Sequence, residues 1–330
     1  MLRRSLPLFA FLLALAVAPA HAQTTAAPPP SNRELADLKS ALDSVMKRQP
    51  IDAAAYTALI DKSRARVAEL IAHDELRTAS DFFVASMLFT DPTGFFENSR
   101  VQHELALVSL VLGHPDAMRR VALSWDGLNW SMGRGQRLGS YMRDGVATNM
   151  DPVPAPQVIR DLFKDPAAAR ARAARATNNA ELQRMRDEDQ ADRSGTMDQA
   201  TLERLHTNDS LHLARTLRLV ADGVPATGRD MHNAATVLQH GGTPDNYRLA
   251  HELSIAAIAL GDTTALWLVS RSYDRMLLSM GHRQRLNTQY GGASLTTVKL
   301  SPLDTTAVND RIRLALGSRR LADAAKPPTN

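Results

Sequence analysis

The sequence predicts an all-α fold: a helical array of αα-hairpins built from two diverged copies of one unit, with a short β-hairpin near 287–302. Three observations lead there. Apolar residues recur at helical spacing along most of the chain. Hydrophobic residues make up 44% of the chain but aromatics only 5%, so Ala, Leu, Val, Ile and Met must build the core, a composition that favours helices. Finally, residues 103–138 align without a gap on 251–286 and share 15 identities in 36 positions, among them His103/His251, Glu104/Glu252, Gly113/Gly261, Asp126/Asp274 and Arg137/Arg285. Such self-similarity is the mark of a repeated unit.

The elements follow in order. Arg3 and Arg4, the apolar run Leu6 to Val17 and Ala20-His21-Ala22 form a signal-peptide pattern over 1–22, with cleavage expected before Gln23. Residues 23–31 read as a disordered Pro/Ala spacer. Ser31 and Glu34 suggest a capping box, and Leu35, Leu38, Leu42 and Val45 share one face of the helix it opens. Asp52 caps a second helix, and further helices are expected near 79–90, 95–112 and 115–132. The first copy thus covers 32–141, and 142–180 is a connector with one linking helix. Within it, Asp151 to Pro156 cannot sustain a helix. Asp165-Pro166 caps the Ala/Arg-rich helix 166–176, expected to be solvated.

The second copy spans 181–317. A helix covers about 180–193; Leu202 with Leu205, and Leu213 with Leu217 and Val220, mark two successive helical faces. Gly291-Gly292 signals a turn before β-rich Leu295 to Leu300, a last helix spans 306–316, and 318–330 reads as a disordered tail. In both copies a glycine (Gly113 or Gly261, then Gly133 or Gly281) stands where a helix should close in a left-handed residue.

Composition also excludes functions. Without cysteine there are no disulfides and no Cys-ligated metal or cluster. The formal charge of +4 falls to +2 once Arg3 and Arg4 are removed, which argues against a nucleic-acid-binding surface. Beyond the leader no stretch reaches the length of a membrane span, so no stable membrane insertion is expected. Trp125, Trp130 and Trp267 are expected as core anchors.

A series of short motifs in the second copy carries a resemblance. These are Glu181-Leu182, Met185, Asp189-Gln190 through Arg193, Gly223-Val224-Pro225, Thr227-Gly228, Gln239-His240, Asp274-Arg275, Gln284, Thr288-Gln289-Tyr290, and Val308 to Gly317. In order and spacing they resemble a bacterial family, domain of unknown function 6624, over about 181–317. The family's Tyr-Gly before Thr-Gln stands here as Leu286-Asn287. The resemblance implies no activity and no cofactor.

The candidate catalytic residues are His240, Asp274 and Arg275, and the candidate binding residues are Asp189, Arg193, Gln239, Gln284 and Gln289. The unperturbed pKa of a histidine lies near physiological pH, so His240 could act as a general base, or it could simply close a helix. For Asp274 the favoured reading is a structural polar network with His251, Glu252, Gln284 and Arg285. His251-Glu252 starts like a zinc-protease helix, but Ile255 stands where the second histidine should be, and no metal site is expected. In the first copy Gly127 replaces Arg275 and Thr90-Asp91 replaces Gln239-His240, so any site belongs to the second copy. Two functions remain: a protein- or peptide-binding or structural protein of the periplasm, or a hydrolase-like enzyme.

Overall fold

In the computed structural model, residues 31–48, 50–90, 95–194, 199–291 and 298–325 are described. The signal-peptide pattern, residues 23–30 of the spacer, Gly292 and the end of the tail lie outside them. The fold is mostly helical. Helices α1 (Arg33–Met46), α2 (Ala53–Ala72), α3 (Ala79–Leu88), α4 (Phe96–Val111) and α5 (Ala117–Ser131) are followed by a two-residue antiparallel hairpin, β1 (Met142–Arg143) and β2 (Val146–Ala147), and by α6 (Gln157–Lys164). After α7 (Pro166–Ala173) the succession recurs as α8 (Ala180–Asp192), α9 (Gln199–Ala221), α10 (Gly228–Leu238), α11 (Pro244–Ala259) and α12 (Leu266–Ser279), the hairpin β3 (Tyr290–Gly291) and β4 (Lys299–Leu300), and α13 (Asp310–Ala315).

Local sequence explains most boundaries. Gly113, Gly133, Gly261 and Gly281 all take positive φ just past a helix, where a Cβ would be strained. Thr78 and Thr227 each form a full capping box, with Asp81 and Asp230. The same carboxylates also accept the backbone N–H of Asn32 (2.7 Å) and of Asn179 (2.7 Å), tying the start of α1 to α3 and the start of α8 to α10.

That tie corrects one expectation. Asn32, held extended by Asp81, caps α1 in place of Ser31, and Glu34 turns away to Arg66. Other expectations also change. The two faces of 201–220 belong to the single helix α9. The connector contains β1–β2 and α6, whose Ile159, Leu162 and Phe163 are buried. The Ala/Arg helix is not wholly solvated, because Ala169 is buried. The last helix is shorter, since Asn309 caps it at Ile312. Residues 318–325 are tied to the fold at two points, although 320–323 are exposed: Ser318 donates to the Leu286 carbonyl and Tyr290 to that of the buried Ala324. Trp125 is a core anchor and Trp267 is half-buried, but Trp130 is 52% exposed at the end of α5.

The central helices are α4 and α11. From Ser99 to Ser109 every residue of α4 is buried, as is most of α11 from Arg248 to Ala259. A helix buried on all sides needs no apolar stripe, but its polar residues need partners. They find them across the halves. Glu104 takes two parallel bonds from Arg285 (2.8 Å each), and Glu252 takes two from Arg137 (2.8 Å each). Tyr273 donates to Glu104 (3.4 Å) and Trp125 to Glu252 (2.9 Å). Arg100 pairs with Asp304 (2.7 Å), and Arg248 with Asp151 (2.9 Å). His103 meets His251 with 3.1 Å between Nε2 atoms. Each of these contacts has a counterpart at the position that the 148-residue offset or the paired turns make equivalent. One hydrophobic core runs through both halves, from Leu35 to Leu316.

Candidate functional site

The C-terminal residues singled out from the sequence divide into two groups. Asp274 and Gln284 hold the turn after α12. The Asp274 carboxylate accepts the N–H groups of Arg285 (2.8 Å), Leu286 (3.0 Å) and Thr288 (3.0 Å) and the Thr288 hydroxyl (2.8 Å). Gln284 bonds the backbone of Gln289 and Ser301. Asp126 and Gln136 do the same in the other half, with Arg137, Leu138 and Ser140 and with Tyr141 and Thr148. This is a folding role, so the assignment of Asp274 to catalysis and of Gln284 to binding is not kept.

The second group converges. The last turns of α8 bring Asp189 and Arg193, the end of α10 brings Gln239 and His240, α12 brings Arg275, and the strand entry brings Gln289. Arg193 donates to Asp189 (2.8 Å) and, with its other amino group, to both oxygens of Asp209 (2.8 Å each). Arg275 donates to the Gln239 carbonyl and to Gln289 Oε1 (3.1 Å). His240 Nε2 stands 3.8 Å from Asp189 Oδ2. Gln239 is 2% exposed, and its Oε1 has no hydrogen-bond partner. His240 itself is partly open to solvent.

Charge sets the protonation states. Burial first, and then the fields of Arg193, Arg275 and Arg271, push the His240 pKa down to about 2. Its ring is therefore neutral, and its approach to Asp189 is not an ion pair at neutral pH. Burial raises Asp189 to about 6, against the opposing pull of Arg193. Arg193, Arg271 and Arg275 thus surround a neutral imidazole. Arg271, which the sequence reading did not single out, stacks on Trp267 at 4.9 Å and forms no hydrogen bond among the described residues. Its spacing of four from Arg275 puts both on one helix face, and that signal was legible. Asp209 had no comparable sequence mark.

The N-terminal half lacks this group. Matching the caps Asn32 and Asn179 sets Leu42 opposite Asp189 and Met46 opposite Arg193. Gly127 stands for Arg275, and a Cβ there would lie 3.0 Å from the Tyr141 hydroxyl, which instead donates to the Leu123 carbonyl (3.1 Å). Tyr141 thus occupies space beside α5 where α12 carries a guanidinium.

The cluster can attract and orient an anion. Among the described residues no hydroxyl is hydrogen-bonded to the His240 ring, and no group of three or more His, Asp or Glu side chains is placed to hold a metal ion. Compared with protein-family models, with curated proteins and with solved structures, the chain matches none.

Proposed function

We propose that this is an exported, periplasmic binding protein made from two diverged copies of one helical unit, in which the C-terminal copy takes an anionic group of a protein or peptide. The N-terminal copy serves as its support. The observation that carries this reading is the convergence of Arg193, Arg271 and Arg275 on a neutral, partly open His240 in one half only. A cationic group set in a partly desolvated site favours a negative ligand more strongly than it would in water. The reciprocal contacts between the halves support duplication, and the N-terminal leader pattern supports export.

Binding of short peptides with free or amidated C-termini to the purified protein tests the ligand. Arg271→Ala should weaken binding of the free carboxylates about tenfold and shift Tm little, since that guanidinium makes no hydrogen bond. Equal binding by the variant, or no preference for the free carboxylate, sinks the reading. Fractionation of producing cells tests the location.

The 3.8 Å approach of His240 to Asp189 favours a second reading, a hydrolase in which Asp189, raised to about 6 by burial, activates water that the neutral His240 ring orients. Turnover of a peptide or ester panel that is abolished by His240→Gln would establish it in place of simple binding.

A further inference from the structure

A cleft of about 580 Å³ lies far along the chain from the His240 group and shares no residue with it. It is formed by the corner between α2 and α3, the end of α4, and α13, and its volume falls in the range of ligand sites. Leu112 and Leu314 line it, 46% and 44% exposed. Five charged side chains on its walls are arranged unevenly. Arg311 is held by both oxygens of Asp74 (2.6 Å each). Arg77 and Arg320 form no hydrogen bond or ion pair through their guanidinium groups among the described residues, although the field of Arg77 reaches Asp74. Asp310, also on the wall, is taken by Arg313 (3.0 Å) and by the N–H of Leu321 (2.9 Å). The free charge facing the cleft is positive.

The other half shows what such a cleft holds. There the corner between α9 and α10, the end of α11, and α6 take the places of these elements. That groove is covered by the chain's own helix α7. Ala169 is buried on it, Arg172 and Ala176 line it, and Arg170 donates to the Ala259 carbonyl (2.8 Å). Only about 310 Å³ remains open beside α7, and Leu260, the counterpart of Leu112, is half-buried. After α13 the chain does not repeat α7: residues 322–325 form a short 3₁₀ turn tied to Tyr290. The N-terminal groove has equivalent walls, and among the described residues no helix lies over them.

We infer that this cleft docks a short helix of a partner protein, with small apolar residues facing Leu112 and Leu314 and carboxylates facing Arg77 and Arg320. The shape follows from α7 in the equivalent groove, and the charge follows from the two unpaired guanidiniums. Helix-in-groove recognition of this kind relies on a few apolar anchors at helical spacing, with charge selecting the partner.

The chain has no cysteine, so Ala72→Cys, on the exposed rim of the cleft, takes one fluorescent label. Two helical Ala/Leu peptides serve as probes, one with Glu at i and i+4 on a flank and one with Lys there. Saturable quenching by the Glu peptide is expected, at least tenfold tighter than by the Lys peptide at low salt. Arg77→Glu combined with Arg320→Glu should reverse that preference, and Leu314→Glu should remove binding of both. These side chains are exposed, so Tm should hold. Equal binding of the two peptides overturns the inference, as does binding unchanged by the double reversal. So does loss of binding with Arg271→Ala, which would put the peptide at the His240 group. Equal quenching by an aliphatic carboxylate such as decanoate, or by phosphatidylglycerol vesicles alone, would also overturn it.

Discussion

His251 Nδ1 must donate to the Val269 carbonyl (3.0 Å), so its Nε2 accepts, and His103 Nε2 carries the proton between the rings (3.1 Å). His103 Nδ1 then accepts, and Ser124 (3.0 Å) turns its hydroxyl toward it. Two residues at equivalent positions therefore hold opposite tautomers: a proton added to His251 Nε2 would set two N–H groups face to face, whereas one added to His103 Nδ1 would meet the Ser124 oxygen. Burial lowers both pKa values, that of His251 to about 3, and His251 lowers His103 further. A histidine depressed in the folded state adds stability above its unfolded pKa of about 6.5, lost as pH falls below it at about 1.4 kcal/mol per pH unit. Asp189 and Asp274, both raised to about 6 with burial the main cause, act in the opposite sense between about pH 4 and 6, but His240, lowered to about 2, adds to the two core histidines, so the offset is only partial. Stability should therefore fall from pH 6.5 toward pH 4. His103→Gln, whose amide can still donate to His251, should flatten that slope by about 1.4 kcal/mol per pH unit. Denaturant titrations at several pH values measure it; an unchanged slope would mean the pair does not titrate with folding.

At the scale of elements, the buried acids act as joints. Asp230 accepts from Asn179 (2.7 Å), Ala226 (3.1 Å) and Thr227 (3.2 Å), so one carboxylate starts α10 and fixes the beginning of α8 beside it. Asp230→Ala should cost about 3 kcal/mol, since charge-assisted bonds to buried N–H groups are lost together. Urea unfolding checks this, and a loss under about 1 kcal/mol would show that water replaces the carboxylate. At Gly317 two demands coincide: φ is +76° and a Cβ would sit 2.6 Å from the Leu266 carbonyl. Gly317→Ala should lower Tm by several degrees, read by thermal unfolding, because α13 must back away from α12. The caps at Asp52 and Asp165 and the glycine helix ends were legible in the sequence, since each depends on residues within one turn. The cap at Asn32 was not, because Asp81, which holds it extended, lies far along the chain.

At the scale of the molecule, the two Glu–Arg pairs bind the halves together. Removing two ions from water is costly, and here bidentate geometry with further donors from Tyr273 and Trp125 offsets the cost. Glu104→Ala should destabilise by about 3 kcal/mol because Arg285 stays buried with only the more distant Asp304, 3.4 Å away, to balance it. Adding Arg285→Met should recover much of that loss. A denaturant double-mutant cycle reads the coupling, and strict additivity would show that the pair contributes nothing as a pair.

The sequence by itself determined the helical class and most helix ends, because periodicity, caps and glycines act over a few residues. It also marked the C-terminal half as the place of a polar group. Only the tertiary structure decided that Glu104 answers Arg285 and Glu252 answers Arg137, that Asp274 and Gln284 hold a turn, and that His240 meets Asp189. Those contacts join side chains on separate helices, and their energies come from burial, charge and distance, which exist only once the helices have packed.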